Sequence, residues 1–146
     1  MTMVDVSDKP EIMRVATAVG KIKLKPKTIQ LIKEGQIVKG DPLYTARIAG
    51  ILAAKKTSEL IPLCHPLPLT KVDVEAKIAN EGSIEVMAVV KTKAQTGVEM
   101  EALSAVSVGL LTIWDMTKQY EKDSMGQYPS TAINDIHVVE KVKQMI

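Results

Sequence analysis

The chain has 146 residues, 19 basic and 17 acidic side chains, two histidines and one cysteine, for a formal net charge of +2. That length suits one domain over 1–146, the near balance of charge gives no general electrostatic case for nucleic acid or an anionic membrane, and a lone Cys64 excludes an internal disulfide framework. No charged start leads into an apolar stretch and no run nears the roughly 18 apolar residues of a spanning helix, so a soluble, cytoplasmic protein is expected.

The opening "MTMVDVSDKPEI" carries no period, and residues 1–13 read as a flexible arm. Val15 to Leu24 alternates through Val15, Thr17 and Val19, then resumes at Ile22 and Leu24. The phase slips at Gly20, which predicts a strand with a bulge. "KPKTIQLIKEG" reads as a short helix, with Pro26 in its first turn and Gly35 at its end. "DPLYTARIAGILAAKKTSELIP" reads as one helix, capped by Asp41 and stopped by Pro62. Its Ala46, Ala49, Gly50, Ala53 and Ala54 leave room for a close neighbour.

"LIPLCHPLPL" follows, apolar but broken by Pro62, Pro66 and Pro68, which forbid a helix or central strand. "KVDVEAKI" and "SIEVMAVVKT" alternate around the turn "NEG" and predict a hairpin with one wet face. A long helix is expected from Val98 to about Tyr120. Its middle, "ALSAVSVGLLTIW", has no charge on any face, so part of it should face another subunit. "DSMGQYPS" reads as a loop and "INDIHVVEKVK" as a last strand. The order predicts an α+β fold, a ferredoxin-like plait: an antiparallel sheet with helices on one face and an extra helix in the first crossover.

Four groups could carry chemistry. Cys64 and His65 are either a buried thiol beside a core histidine, or a ligand-binding pair on a proline-stiffened shelf. Histidine titrates near neutral pH and suits proton transfer or anion binding. Thr96 and Glu99 have the spacing of a capping box, while Glu99 and Glu101 could hold the amino and ring N–H groups of a guanine-like base. Asp115 and Lys118 have the spacing of an ordinary helix ion pair, but sit where the apolar stretch ends. Keeping Asp115 protonated at neutral pH would need a shift of about three units, roughly 4 kcal/mol, and Lys118 pushes the other way, so an ionised base fits better. Lys39, beside Gly40 and ahead of the capped helix, could clamp an anion.

Taken together, "KGD", "TARIAGI", "LIPLCHPL", "TGVEMEAL" and "WDMTK" resemble the cyclic pyranopterin monophosphate synthase family, molybdenum cofactor biosynthesis protein C, from Met3 to about Lys143. The resemblance implies conversion of (8S)-3′,8-cyclo-7,8-dihydroguanosine 5′-triphosphate to cyclic pyranopterin monophosphate with release of diphosphate. It implies a catalytic Asp115 with Lys118, and substrate contacts at Leu63, Cys64, His65, Met100 and Glu101, with Glu99 and Lys39 lining the pocket. It also implies a hexamer, a trimer of dimers with sites between subunits. No cofactor motif appears and the lone His137 beyond Cys64 and His65 makes a weak metal set, so no cofactor or metal is expected; Mg²⁺ could accompany the triphosphate, though nothing in the sequence supports it. The chain departs from the family in lacking its "KSGGKSG" tail. Lys141 aligns best with the first lysine of that tail, with Lys143 as the alternative. Two rival classes remain at this stage. A non-catalytic nucleotide-binding domain would not need Asp115 beside Lys118. An RNA-binding plait would need strand aromatics that this chain lacks.

Overall fold

The computed structural model describes residues 1–145. Its elements run β1 (Ile12–Lys23), α1 (Pro26–Lys33), α2 (Pro42–Lys55), a single turn α3 (Thr57–Leu60), β2 (Leu69–Asn80), β3 (Ser83–Ala94), α4 (Glu99–Glu121) and β4 (Ala132–Gln144). The strands form one antiparallel sheet in the order β2-β3-β1-β4. This is the expected plait, with α2 and α4 packed on one face. The alternation dictates it: Ala16, Ala18 and Ile22 of β1 and Ile84, Val86, Ala88 and Val90 of β3 turn to the helices and are buried there.

Two boundaries and the placement of a bulge differ from the sequence reading. The first strand starts at Ile12, inside the segment read as an arm. The Asp41 helix stops at Lys55, because Thr57 Oγ1 donates to both Ala53 O and Ala54 O at 3.0 Å and closes a separate turn. The bulge is present at Gly20, but its extra residue lies on β4: Val19 pairs with His137 and Lys21 with Asn134, leaving Asp135 and Ile136 opposite one glycine. The Asp41 cap forms as expected, its Oδ1 accepting from the backbone N–H of Leu43 and Tyr44.

Close approach explains the small residues. A Cβ on Gly50 would lie 3.0 Å from the Ala105 carbonyl oxygen, so α2 rides almost backbone to backbone on α4. A Cβ on Gly20 would sit 2.8 Å from Val106 Cγ1 and 2.9 Å from both Ile136 Cγ1 and Leu110 Cδ1. Gly20→Ala is therefore expected to cost about 1–3 kcal/mol, the range for overpacking a core, read as a lower urea midpoint with an unchanged m-value. An unchanged midpoint would mean that the bulge yields freely.

The 23-residue α4 positions the functional groups. Ala102, Ala105, Val106, Gly109, Leu110 and Ile113 bury one side of it. The opposite side steps by three and four through Met100, Ser104, Ser107, Leu111, Asp115 and Lys118 and is only partly covered by the chain: Met100, Leu111 and Asp115 are exposed, Leu111 by 58%, and the other three half-buried. Among the described residues no helix is long and apolar enough to cross a membrane.

Candidate active site

The side chains singled out above gather at the two ends of the partly covered stripe on α4. At its C-terminal end Asp115 is clamped between two cations. Lys118 Nζ lies 3.0 Å from Oδ1, and Lys39 Nζ, arriving from the loop between α1 and α2, lies 3.0 Å from Oδ2. Lys39 also donates to the Asp115 backbone carbonyl at 3.0 Å. The hydrogen bond from Lys39, then that from Lys118, holds the Asp115 carboxyl below the usual carboxylate range. A cavity of about 400 Å³ adjoins the pair, lined by Leu111, Trp114, Tyr128 and Ile133. Tyr128 and Trp114 meet edge to face with centroids 5.1 Å apart.

At the N-terminal end the proline-stiffened segment lies against the first turn of α4. Leu63, Cys64, His65, Glu99 and Met100 line a cavity of about 430 Å³. Glu101 is 3% exposed; its Oε2 is 3.9 Å from Cys64 Sγ, and its Oε1 is buried without a hydrogen-bond partner among the described residues. Burial raises the Glu101 carboxyl, and the neighbouring Glu99 charge adds to it. Burial, then Glu101, likewise pushes up the Cys64 thiol, so it is not a ready nucleophile. A buried acceptor without a donor is costly.

Glu99 does not form the expected capping box. Val98 takes the cap position with no side-chain hydrogen bond, while Glu99 Oε1 pairs with Lys141 Nζ at 2.7 Å. Burial alone would raise Glu99, but Lys141, then a hydrogen bond from its own backbone N–H and the nearby Arg14, outweigh it and hold the carboxyl low. Of the two C-terminal lysines, Lys141 is thus the one engaged at this end of α4, and Lys143 lies beside it near Arg14. Arg14 had no signal in the sequence reading. It is buried in β1, donating through Nε to Ala94 O at 3.1 Å and through Nη2 to Gln95 O at 3.2 Å, and it braces the approach to α4.

The residues expected to form a free arm are also placed. Val4, Val6 and Lys9 wall the 430 Å³ cavity, and His65 Nε2 lies 2.7 Å from the Val4 carbonyl oxygen. That oxygen can only accept, so Nε2 carries the proton. Among the described residues no three His, Cys, Asp or Glu side chains gather as a metal site.

The two ends do not meet within one chain. Sixteen helical steps separate Glu99 from Asp115, about 24 Å at 1.5 Å each. Asp115, Lys118 and Lys39 gather at one end, and Leu63, Cys64, His65, Glu99, Met100, Glu101 and Lys141 at the other.

The chain has relatives. The MoaC family profile matches residues 3–144. The chain belongs to the MoaC family. A Thermococcus onnurineus protein named "Probable cyclic pyranopterin monophosphate synthase" is 58% identical over 142 residues, covering 97% of this chain and 90% of that one. Proteins of the same name from Sulfolobus acidocaldarius and Methanococcoides burtonii are each 55% identical, covering 97% and 99% of this chain and 98% and 90% of their own lengths. The likeness of this MoaC-family chain to them is end to end, not confined to one motif.

Proposed function

We propose that this MoaC-family chain is a cyclic pyranopterin monophosphate synthase, a lyase of molybdenum cofactor biosynthesis acting in the cytoplasm. Its substrate is (8S)-3′,8-cyclo-7,8-dihydroguanosine 5′-triphosphate; its products are cyclic pyranopterin monophosphate and diphosphate. The observation that carries the chemical reading is Asp115 held ionised between Lys39 and Lys118. A carboxylate in that state can take a proton as the five-membered base ring opens and the pterin closes, and either ammonium can return one. A sugar hydroxyl then attacks the innermost phosphate and diphosphate leaves, with lysines balancing the released charge. His65 and Lys141 serve the triphosphate, while Glu101 or Glu99 receives N–H groups of the base. Ring rearrangement and diphosphate release exchange no electrons with an outside group, so the proposal calls for no redox cofactor. Mg²⁺ would enter, if at all, with the triphosphate.

The site is read as shared between subunits of a homo-oligomer, a hexamer built as a trimer of dimers. The partly covered α4 stripe supports this, because two copies laid antiparallel along it would bring Asp115 and Lys118 of one to the Met100 end of the other. Neither end then remains a partial site, and covering Leu111 removes apolar surface from water. A site so enclosed also protects a reactive intermediate.

The direct test supplies the cyclised GTP derivative to purified protein and measures diphosphate and the pterin product. Substrate left intact where a family member of demonstrated activity turns over would remove the proposal. Sharing of the site is tested by mixing. His65→Ala and Asp115→Asn chains, each nearly inactive alone, should recover roughly a quarter of the parent activity when co-assembled one to one, since each mixed pair keeps one intact site. No recovery in verified mixed oligomers would put both groups in one chain's site.

A further inference from the structure

Tyr120 is left without a task by the chemistry above. It lies five residues beyond Asp115 on α4, and its hydroxyl oxygen accepts the backbone N–H of Val38 at 2.8 Å. The next residue is Lys39, whose ammonium meets Asp115 at 3.0 Å. The loop between α1 and α2 therefore touches α4 at two points, at 115 and 120, about 7.5 Å apart along the helix axis.

On its other side the loop is held by buried Ile37, whose carbonyl oxygen accepts the Gly40 N–H at 3.1 Å. Val38 itself is 78% exposed, so its own side chain adds no packing toward α4. Gly40 follows at φ +118 with only the tip of Met116 near its Cβ position, so that side of Lys39 is unpacked as well. An exposed ion pair on a four-bond lysine stem is too weak to immobilise a loop unaided. A backbone anchor one residue away limits where the Lys39 Cα can sit, and so makes the side-chain contact persistent.

We propose that Tyr120 is a positioning residue whose hydroxyl fixes the backbone at Val38 and so sets Lys39 against Asp115. The proposal rests on Asp115 being the acid–base group. The charged groups facing Asp115 are Lys39 from the loop and Lys118 from α4 itself, with Tyr128 and Trp114 lining the adjoining cavity. Lys39 contributes first to keeping the Asp115 carboxyl low. Loosening Lys39 therefore raises that carboxyl, and the ionised form is lost at higher pH as solutions are acidified.

The test is Tyr120→Phe in the full-length protein, which keeps the half-buried ring and removes only the oxygen. Thermal unfolding establishes that the variant is folded. Expected is a fall in kcat on the order of tenfold with KM little changed, the cost of a misplaced group. The acid limb of the kcat profile should move to higher pH, toward that of Lys39→Met. A ¹³C-NMR titration of the Asp115 carboxyl should rise in the same direction, a readout that needs no turnover. On a Lys39→Met background Tyr120→Phe should add no further loss, because both changes remove one contact. The proposal is overturned if Tyr120→Phe leaves the Asp115 titration where it was, or if its loss of rate is fully additive with that of Lys39→Met. Full turnover by Asp115→Asn would instead remove the acid–base reading, whatever the titration of Asp115 shows about Tyr120.

Discussion

Asp115→Asn is expected to lower kcat by about 10²- to 10⁴-fold, the range for losing a positioned acid–base group. The change is isosteric, and the side chain it replaces is exposed and, among the described residues, bonded only to Lys39 and Lys118, so the unfolding midpoint should not move with the rate. The pH behaviour separates a base from a mere spacer. The folded carboxyl lies below its ordinary value because Lys39 and then Lys118 donate to it. Ionised Asp115 is therefore present at neutrality and persists as pH falls past the usual carboxylate range, being lost only on reaching the lowered value. Activity that needs the ionised form should show an acid limb in that same low region. Lys39→Met and Lys118→Met should each shift the limb upward, since each removes a cation that favours ionisation. Steady-state rates of the parent and the three variants across acid pH would check this. Turnover by Asp115→Asn within about tenfold of the parent would leave Asp115 no proton-transfer role of the expected size.

The plait was legible because its signals are local and repetitive. Alternation in β1, β2 and β3 names the buried face, Asp41 before Pro42 starts α2, and the charge-free middle of α4 marks a helix with one side to spare. What the alternation missed depends on partners distant in the chain. Thr96 and Glu99 fit a capping box by spacing, yet Lys141 competes for the same carboxylate from β4 and wins through charge. The opening residues have no period because they follow a cavity wall, not a core, and the His65 contact to Val4 O spans 61 positions. Lys39 was singled out by its neighbours Gly40 and Asp41. That its ammonium reaches Asp115, 76 residues away, follows from the α1–α2 loop crossing α4. Arg14 and Tyr120 escaped notice because each acts by bonding backbone groups, and no side-chain pattern records which backbone groups lack partners.

Glu121→Ala is expected to be strongly destabilising, at about 3–5 kcal/mol, the cost of stranding three buried donors. Glu121 ends α4 fully buried, an unusual place for a glutamate, and nothing in the apolar pattern of the helix predicts it. The structure supplies its partners. Its two oxygens accept the Lys25 backbone N–H at 3.1 and 3.2 Å, the Thr28 hydroxyl, and the Thr131 hydroxyl at 2.7 Å. Lys25 is the cap residue of α1 and offers no side-chain acceptor of its own. The carboxylate supplies that missing cap from another helix, with its negative charge at the positive end of the α1 dipole. The same group fixes the lead into β4 through Thr131, so one side chain ties together three elements. Alanine leaves the Lys25 amide and two hydroxyls without acceptors, each costing about 1–3 kcal/mol if it stays dry. In a chain of this size that should lower Tm by roughly 10 °C or more, compared at equal protein concentration because assembly also contributes. Glu121→Gln keeps the shape and one acceptor but turns an amide N–H₂ toward donors, so its loss should fall between parent and alanine. If alanine and parent unfold within about 1 kcal/mol of each other, water has replaced the carboxylate, and α1 is held by Ile29 and Ile32 packing alone.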